Sequence, residues 1–245
     1  GDNIMGSISR DGDYVVYTSD ATGLDDFGFN DTNGDRDIYL YDVASGTNKI
    51  ITKSTSGGNS DGDSMRAMIS GDGNWVVFES NAENIHDDGS TPSAYNDIYV
   101  YDVQNDKTSM VNPNTFGEHA SFPSISEDGS VIVYHVGATT LDELDTAPGD
   151  VEVYIATRGA YNPTTETYAY NNINLNAELG TAGSLYTPVI SANGDWVAFG
   201  STESLIASDT NGKSDVYMYN LQTQELKKEK RLLLLERKRL LNNGR

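Results

Sequence analysis

Oxygen-bearing side chains alternate along a short loop in the first quarter of the chain. Asp31, Asn33, Asp35 and Asp37 occupy its first, third, fifth and seventh positions, and Gly34 lies among them. Alternate spacing can direct such side chains into one concavity where a glycine permits a tight turn. Calcium prefers about six to eight oxygen ligands, including carboxylates, amide oxygens and backbone carbonyls. The loop therefore predicts a calcium site.

A second loop repeats the pattern near the other end of the chain. Its predicted ligands are the side chains of Asp209, Asn211 and Asp215 and the backbone carbonyl of Lys213. A degenerate third copy keeps only Asp145 and Asp150. None of these loops has EF-hand spacing, and magnesium fits less well because it usually retains several waters. The alternative interpretation is that Asp-x-Asn-Gly only caps its own tight turn.

Catalytic motifs are not recognisable. The run Gly58–Gly62 matches Gly-x-Ser-x-Gly, but no apolar strand precedes it and no helix pattern follows, so we predict a loop. His86, His119 and His135 are widely spaced and are more typical of packed or surface residues. Without cysteine the chain has no thiol nucleophile. These observations predict a protein that is not an enzyme, although a triad assembled only in space stays open.

The charge distribution excludes several partners. The formal net charge is −21, yet residues 227–245 hold 8 Lys and Arg and 2 Glu, so the remaining 226 residues carry −27. Such an acidic body repels phosphate, which argues against nucleic acid and anionic membranes as partners. No apolar run approaches the length of a membrane-spanning helix, so we expect no membrane insertion.

A turn motif recurs four times along the chain. Its copies are Ser9–Gly12, Ser70–Gly73, Ser126–Gly129 and Ser191–Gly194, each preceded by Ile. An Asp-Gly or Asn-Gly step between apolar runs predicts a hairpin with a two-residue turn. A short apolar strand follows each turn, as in Trp75–Phe78.

An alternating strand then follows a longer loop in every repeat. Its copies are Asp37–Asp42, Asp97–Asp102, Asp150–Tyr154 and Asp215–Asn220. In the third copy, this alignment places Glu152 where the others have Tyr. The repeating Ile residues are 61, 56 and 65 positions apart, which is enough for about four strands and one long loop per repeat.

The predicted fold class is all-β, with four recognisable four-stranded blades of a β-propeller. The predicted propeller domain covers residues 1–226. We name its repeats blade 1 (1–57), blade 2 (58–115), blade 3 (116–180) and blade 4 (181–226). At this stage a closed ring, an open arc and part of a larger ring are all compatible with four blades.

The motifs Ile-Ser-x-Asp-Gly-x-x-Val-x-Phe/Tyr and Asp-Ile-Tyr-x-Tyr-Asp resemble the TolB-like, WD40-like (PD40) β-propeller repeat. With the Asp-Thr-Asn-Gly loops, they are similar to a bacterial secreted or surface-associated branch of those propellers. This resemblance implies an extracellular, cell-surface or periplasmic location. It also implies two alternative roles, as a propeller domain of a peptidase or carbohydrate-active hydrolase or as a TolB-like periplasmic scaffold.

The segment 227–245 departs from the repeat pattern. It is basic and leucine-rich, and its strong helix formers predict a short C-terminal helix or tail. Its leucines could share a helical face for self-association, and the alternative is a tail with no native role. The function predicted from the whole sequence is a calcium-stabilised, non-enzymatic propeller module that binds a protein or a glycan.

Overall fold

A computed structural model describes residues 3–92, 95–112, 118–137 and 151–228. Residues 229–245, nearly all of the predicted tail, lie outside this part of the chain, and so does the prediction of self-association through that tail. Within the described ranges, no helix is long and apolar enough to cross a membrane.

The predicted all-β fold class is confirmed, because the strands form four separate four-stranded antiparallel sheets. Blade 1 contains β1 (Asn3–Ile8), β2 (Tyr14–Ser19), β3 (Asp37–Asp42) and β4 (Thr47–Ile50). Blade 2 contains β5 (Ser64–Ile69), β6 (Trp75–Ser80), β7 (Asp97–Asp102) and β8 (Lys107–Met110). Blade 3 contains β9 (His119–Ile125), β10 (Val131–Gly137), β11 (Val151–Asn162) and β12 (Thr167–Asn174). Blade 4 contains β13 (Leu185–Ile190), β14 (Trp196–Ser201), β15 (Asp215–Asn220) and β16 (Leu226–Lys228).

Strands pair in chain order within each blade, so every connection is a hairpin. One short helix, α1 (Leu175–Leu179), follows β12. Strand β16 extends two residues beyond residue 226, into the segment that the sequence assigned to the tail.

The turns between the first and second strands are longer than predicted. In blade 1, β1 ends at Ile8 and β2 begins at Tyr14, which leaves a five-residue loop instead of a two-residue turn. The Ser9 hydroxyl donates to Asp11 Oδ1 at 2.6 Å and accepts from the Tyr14 backbone N–H at 3.0 Å. The serine that begins each motif therefore closes the loop, which is why the motif includes it.

The blades pack face to face in chain order. We call the face of a blade that packs on the following blade its trailing face. The face that packs on the preceding blade is its leading face. In blades 1 and 2 these faces meet through Ile38 and Leu40 on one side and Ile69, Val76 and Phe78 on the other. Equivalent clusters join blade 2 to blade 3 and blade 3 to blade 4. Within the described ranges, blade 4 shows no packing of this kind on blade 1.

Candidate metal centre

The first acidic loop lies directly before β3 and is largely buried at both ends. Asp31 is 2% exposed and Asp37 is 1% exposed, whereas Asn33 and Asp35 are partly exposed. Gly34 has a φ of +78°, a conformation that side-chain-bearing residues rarely adopt. The tight turn expected at this glycine is thus present, and it brings the alternating side chains to one end of the blade.

Asp37 is the most unusual group in this loop. Its Oδ1 atom accepts hydrogen bonds from the hydroxyls of Thr52 at 2.6 Å and Ser60 at 3.1 Å. Its Oδ2 atom is buried and has no hydrogen-bond partner among the described residues. The pKa of Asp37 is raised to about 6, chiefly by burial, with the nearby carboxylates of Asp31 and Asp35 acting in the same direction and the two hydroxyls opposing them. A bare buried carboxylate oxygen is costly, and a bound cation would remove that cost.

The loop from blade 1 into blade 2 packs against the first acidic loop. Asn33 Nδ2 donates to the Ser60 backbone carbonyl and to its hydroxyl, both at 3.1 Å. Burial raises the pKa of Asp35, and the carboxylates of Asp63, Asp31 and Asp61 act in the same direction. The sequence argument missed Ser60, Asp61 and Asp63, although they lie in the acidic run that also produced the Gly-x-Ser-x-Gly match.

The self-capping turn of the alternative interpretation is also present. Asp31 Oδ1 accepts from the Asn33 N–H at 3.4 Å, and Asn33 Oδ1 accepts from the Asp35 N–H at 3.0 Å. Among the described residues, no three His, Asp or Glu side chains already stand in an arrangement that could hold one ion. A calcium site here would therefore need small side-chain rotations and ligands beyond carboxylates, namely the Asn33 amide, hydroxyls and backbone carbonyls.

The fourth-blade loop contains a cation supplied by the chain itself. Lys228 Nζ lies 2.6 Å from Asp209 Oδ1 and 2.6 Å from Asp215 Oδ2. The hydrogen bond from Lys228 lowers the pKa of Asp209, and a second hydrogen bond from the Tyr217 hydroxyl adds to this effect. Burial opposes the charge of Lys228, but the hydrogen bonds to both carboxylates outweigh it and raise the pKa of the lysine.

Strand register explains why only blade 4 has this ammonium. Lys228 pairs with Tyr217, and in blade 1 the equivalent Tyr39 pairs with Ile50. The last strand of blade 1 therefore places an apolar side chain where blade 4 places a lysine. The sequence assigned Lys227 and Lys228 to the tail, so the role of Lys228 was missed. Asn211 and Lys213 occupy the same Asx turn as their blade 1 counterparts, with Asn211 Oδ1 accepting from the Lys213 N–H at 2.8 Å.

The corresponding carboxylate of blade 2, Asp97, has different surroundings. Asp97 Oδ1 accepts from Asn112 Nδ2 at 2.7 Å, so an amide lies where blade 1 has the hydroxyl of Thr52. Asp145 and Asp150 lie outside the described residues.

The strand alignment predicted for blade 3 was wrong by two residues. Val131 pairs with Thr157, as Tyr14 pairs with Asp42, which makes Glu152 and not Asp150 the equivalent of Asp37. Tyr154 is then the equivalent of Tyr39, and its hydroxyl donates to Glu152 Oε2 at 3.0 Å.

Among the described residues, His86 and His119 make contacts that differ from those of a serine triad. His86 Nδ1 lies 2.9 Å from Asp88 Oδ1 and 3.3 Å from the Ser90 hydroxyl, so both partners meet the same ring nitrogen. A serine triad needs the hydroxyl and the carboxylate on opposite ring nitrogens. The Ser90 hydroxyl instead donates to Asp88, which caps a turn. His119 Nδ1 accepts from the Asn96 N–H at 3.1 Å, a structural contact.

A buried polar cluster lies on the first and second strands of blades 2 and 3. Arg66 forms an ion pair with the fully buried Glu79, and its guanidinium lies 4.2 Å from the centre of the Phe122 ring. The Phe122 ring in turn lies 4.8 Å from that of His135. Burial lowers the pKa of His135 to about 4, and the charge of Arg66 contributes.

Arg66 and Phe122 have φ values of +53° and +54° at equivalent bulges of β5 and β9. Both strained positions thus support packing between neighbouring blades.

Comparison with solved structures agrees with this architecture. TolB from Acinetobacter baumannii aligns with 93% of this chain at a TM-score of 0.50 and 14% identity. The fold is a β-propeller of the TolB type. The propeller also resembles part of the tricorn protease, over 93% of this chain with a TM-score of 0.53 and 15% identity. An acylaminoacyl peptidase bound to Z-Gly-Gly-Phe-chloromethyl ketone aligns over 93% of this chain with a TM-score of 0.50 and 12% identity.

These likenesses concern the fold alone. The propeller covers 43% of the TolB chain, 22% of the tricorn protease chain and 32% of the peptidase chain. No protein-family model matches the sequence, and no curated protein matches it.

Proposed function

We propose that this propeller is a calcium-stabilised, non-catalytic binding module, with its calcium site in the first acidic loop. One observation carries the proposal: Asp37 Oδ2 is buried and has no hydrogen-bond partner in the described part of the chain, and its loop also holds Asp31 and Asp35. The ammonium between Asp209 and Asp215 of blade 4 supports it, because an equivalent pair of carboxylates there accommodates a positive charge.

The candidate ligands come from two blades. Asp31, Asn33, Asp35 and Asp37 lie before β3, while Ser60 and Asp63 lie in the loop that leads into blade 2. Asp63 Oδ1 already accepts from the Arg36 N–H at 2.8 Å, so the two loops are in contact. Bound calcium would neutralise the negative charge of these carboxylates and would hold the two loops together. Because the ion would bind the folded site and not the unfolded chain, it would stabilise the fold by mass action.

In blade 4 we propose that the internal ammonium of Lys228 replaces the ion. The calcium site predicted from the sequence at Asp209, Asn211, Lys213 and Asp215 is therefore not part of this proposal. The two loops would then have the same electrostatic requirement and meet it with different cations.

Thermal melting of the whole chain in calcium, magnesium and chelator tests the proposal. Calcium at about 100 times its dissociation constant adds about 2.7 kcal/mol of stability. For a domain of this size, that corresponds to a rise in Tm of about 5–10 °C. Magnesium at the same concentration should produce a much smaller rise. A Tm that is equal in calcium and in chelator would contradict the calcium site.

The binding surface is proposed beside the loops. Phe27 lies in the loop between β2 and β3 and is 68% exposed, and an exposed aromatic side chain of this kind is suited to contacts with a protein or a glycan. We propose a location outside the bacterial cytoplasm, at the surface, in the periplasm or in the medium. Calcium sites of extracellular modules have dissociation constants of about 10⁻⁴ to 10⁻³ M, which a partly exposed loop site can meet.

A further inference from the structure

The trailing face of blade 4 is exposed where the other blades are covered. The shared register of the second and third strands makes Val216 the equivalent of Ile38, Ile98 and Val153. Those three side chains are all 0% exposed, and Val216 is 47% exposed. Each covered side chain packs against the leading face of the following blade.

The neighbouring positions on β13 and β15 extend this face. Val189 of β13 is 52% exposed, and it pairs with Ala198, which pairs in turn with Met218. Met218 is partly exposed, whereas the equivalent Leu40 of blade 1 is 6% exposed. The trailing face of blade 4 is therefore a continuous apolar surface and not a single exposed valine.

The leading face of blade 1 is uncovered in the same way. Ile8 is 61% exposed, while the equivalent Ile69 and Ile125 are 5% and 8% exposed. Val15 is partly exposed, and the equivalent Val76 is 0% exposed. Within the described residues, the same type of interface therefore occurs three times, and one half of it is exposed on blade 1 and the other half on blade 4.

We infer that the trailing face of blade 4 binds the leading face of blade 1 of a second copy of this chain. The occupant follows from the internal interfaces, since a leading face covers the trailing faces of blades 1, 2 and 3. The contact is heterologous, with two different surfaces meeting head to tail. Two sets of these four described blades, joined twice in this way, would make a ring of eight blades, which is within the usual range for propellers. This inference does not depend on calcium.

Sedimentation velocity of the full chain over a range of concentrations tests the inference. We expect dimers of the wild type that dissociate on dilution. Val216→Asp and Ile8→Asp should each weaken self-association at least about tenfold, because each places a charge in an apolar contact. Both residues are about half exposed or more in the single chain, so both variants should fold. Val43→Asp is the matched control: Val43 is 48% exposed, in the turn that follows β3, and its variant should associate like the wild type.

Mixing the two variants gives the sharper result. The Val216→Asp chain keeps an intact leading face, and the Ile8→Asp chain keeps an intact trailing face. An equimolar mixture should therefore form mixed dimers at concentrations at which neither variant dimerises alone. A wild type that stays monomeric at about 100 µM would overturn the inference, as would dimers that both variants still form alone or a mixture that does not associate.

Discussion

At the scale of single residues, Asp37 explains most of the behaviour expected of the first loop. It is 1% exposed, its Oδ1 atom is satisfied by two hydroxyls, and its Oδ2 atom has no hydrogen-bond partner among the described residues. Burial without a partner for Oδ2 raises the pKa of Asp37, so the carboxyl holds a proton more readily than an exposed aspartate. A bound metal ion would stabilise the charged form instead.

Asp37→Asn should change stability in opposite directions with and without calcium. The amide keeps an acceptor for Thr52 and Ser60 and removes the buried charge, so we expect the metal-free chain to melt a few degrees higher than wild type. The same change removes a charged ligand, so most of the calcium-induced rise in Tm should disappear. Melting curves in calcium and in chelator measure both effects.

Asp42→Asn is the matched control for this substitution. Asp42 Oδ1 accepts from the Ala44 N–H at 2.9 Å and the Ser45 N–H at 3.1 Å, contacts that asparagine can also make. Its calcium response should equal that of wild type. If Asp37→Asn kept the full calcium response, Asp37 would not be a ligand.

His135 should make stability depend on pH. Burial and the charge of Arg66 lower its pKa to about 4 in the fold, while the unfolded chain has an ordinary value near 6.5. Between these pH values the unfolded chain binds more protons than the folded chain. The stability that comes from burying neutral His135 is therefore fully present above pH 6.5, and it is lost as the pH falls towards 4. The charged groups beside it are Arg66 and its partner Glu79.

His135→Gln isolates this contribution. From pH 7 to pH 4, wild type should lose about 2–3 kcal/mol more unfolding free energy than the variant. Urea unfolding at several pH values measures the difference. Parallel pH dependence in the two proteins would show that His135 titrates normally in the fold.

At the scale of elements, one position on the last strand distinguishes the acidic loop of blade 4 from that of blade 1. Ile50 of β4 and Lys228 of β16 pair with equivalent tyrosines, and only the lysine reaches the acidic loop. The sequence could not show this, because the equivalence depends on strand register and Lys228 stands at the border of a basic segment.

Exchanging the side chains at positions 50 and 228 should exchange the calcium responses of the two loops. Ile50→Lys places an ammonium near Asp31 and Asp37 and should abolish the calcium-induced rise in Tm. Lys228→Met leaves Asp209 and Asp215 without a cation, so we expect lower stability in chelator and an added response to calcium. Ile50→Met is the matched control, since blade 2 has Met110 at this position. Calcium titrations followed by melting measure all three. An Ile50→Lys chain with an undiminished calcium response would refute the exchange.

Strand positions were largely predictable from the sequence, but register was not always so. The predicted strands Asp37–Asp42, Asp97–Asp102 and Asp215–Asn220 agree with β3, β7 and β15. In blade 3, a shift of two residues keeps the same alternation of faces, so the pattern alone could not distinguish Asp150 from Glu152 as the equivalent of Asp37. Only the pairing of β10 with β11 resolves it.

At the scale of the whole molecule, repetition made the propeller predictable while the number of blades in the working ring stayed open. Each blade buries its trailing face on the next, and the pattern continues until blade 4 leaves Val216 exposed. Composition could not reveal this, because Val216 is a β-branched apolar residue at the same strand position as its buried counterparts Ile38, Ile98 and Val153. The same holds for the acidic residues. Their number suggests that a cation binds, but only the structure shows that a lysine lies between the carboxylates of blade 4.

Isothermal titration of the full chain with calcium tests the central claim most directly. The account predicts one ion per chain, bound by wild type and lost in Asp37→Asn. Two ions per chain would contradict the role of Lys228 in blade 4. No heat of binding and no calcium retained after dialysis would contradict the calcium site itself.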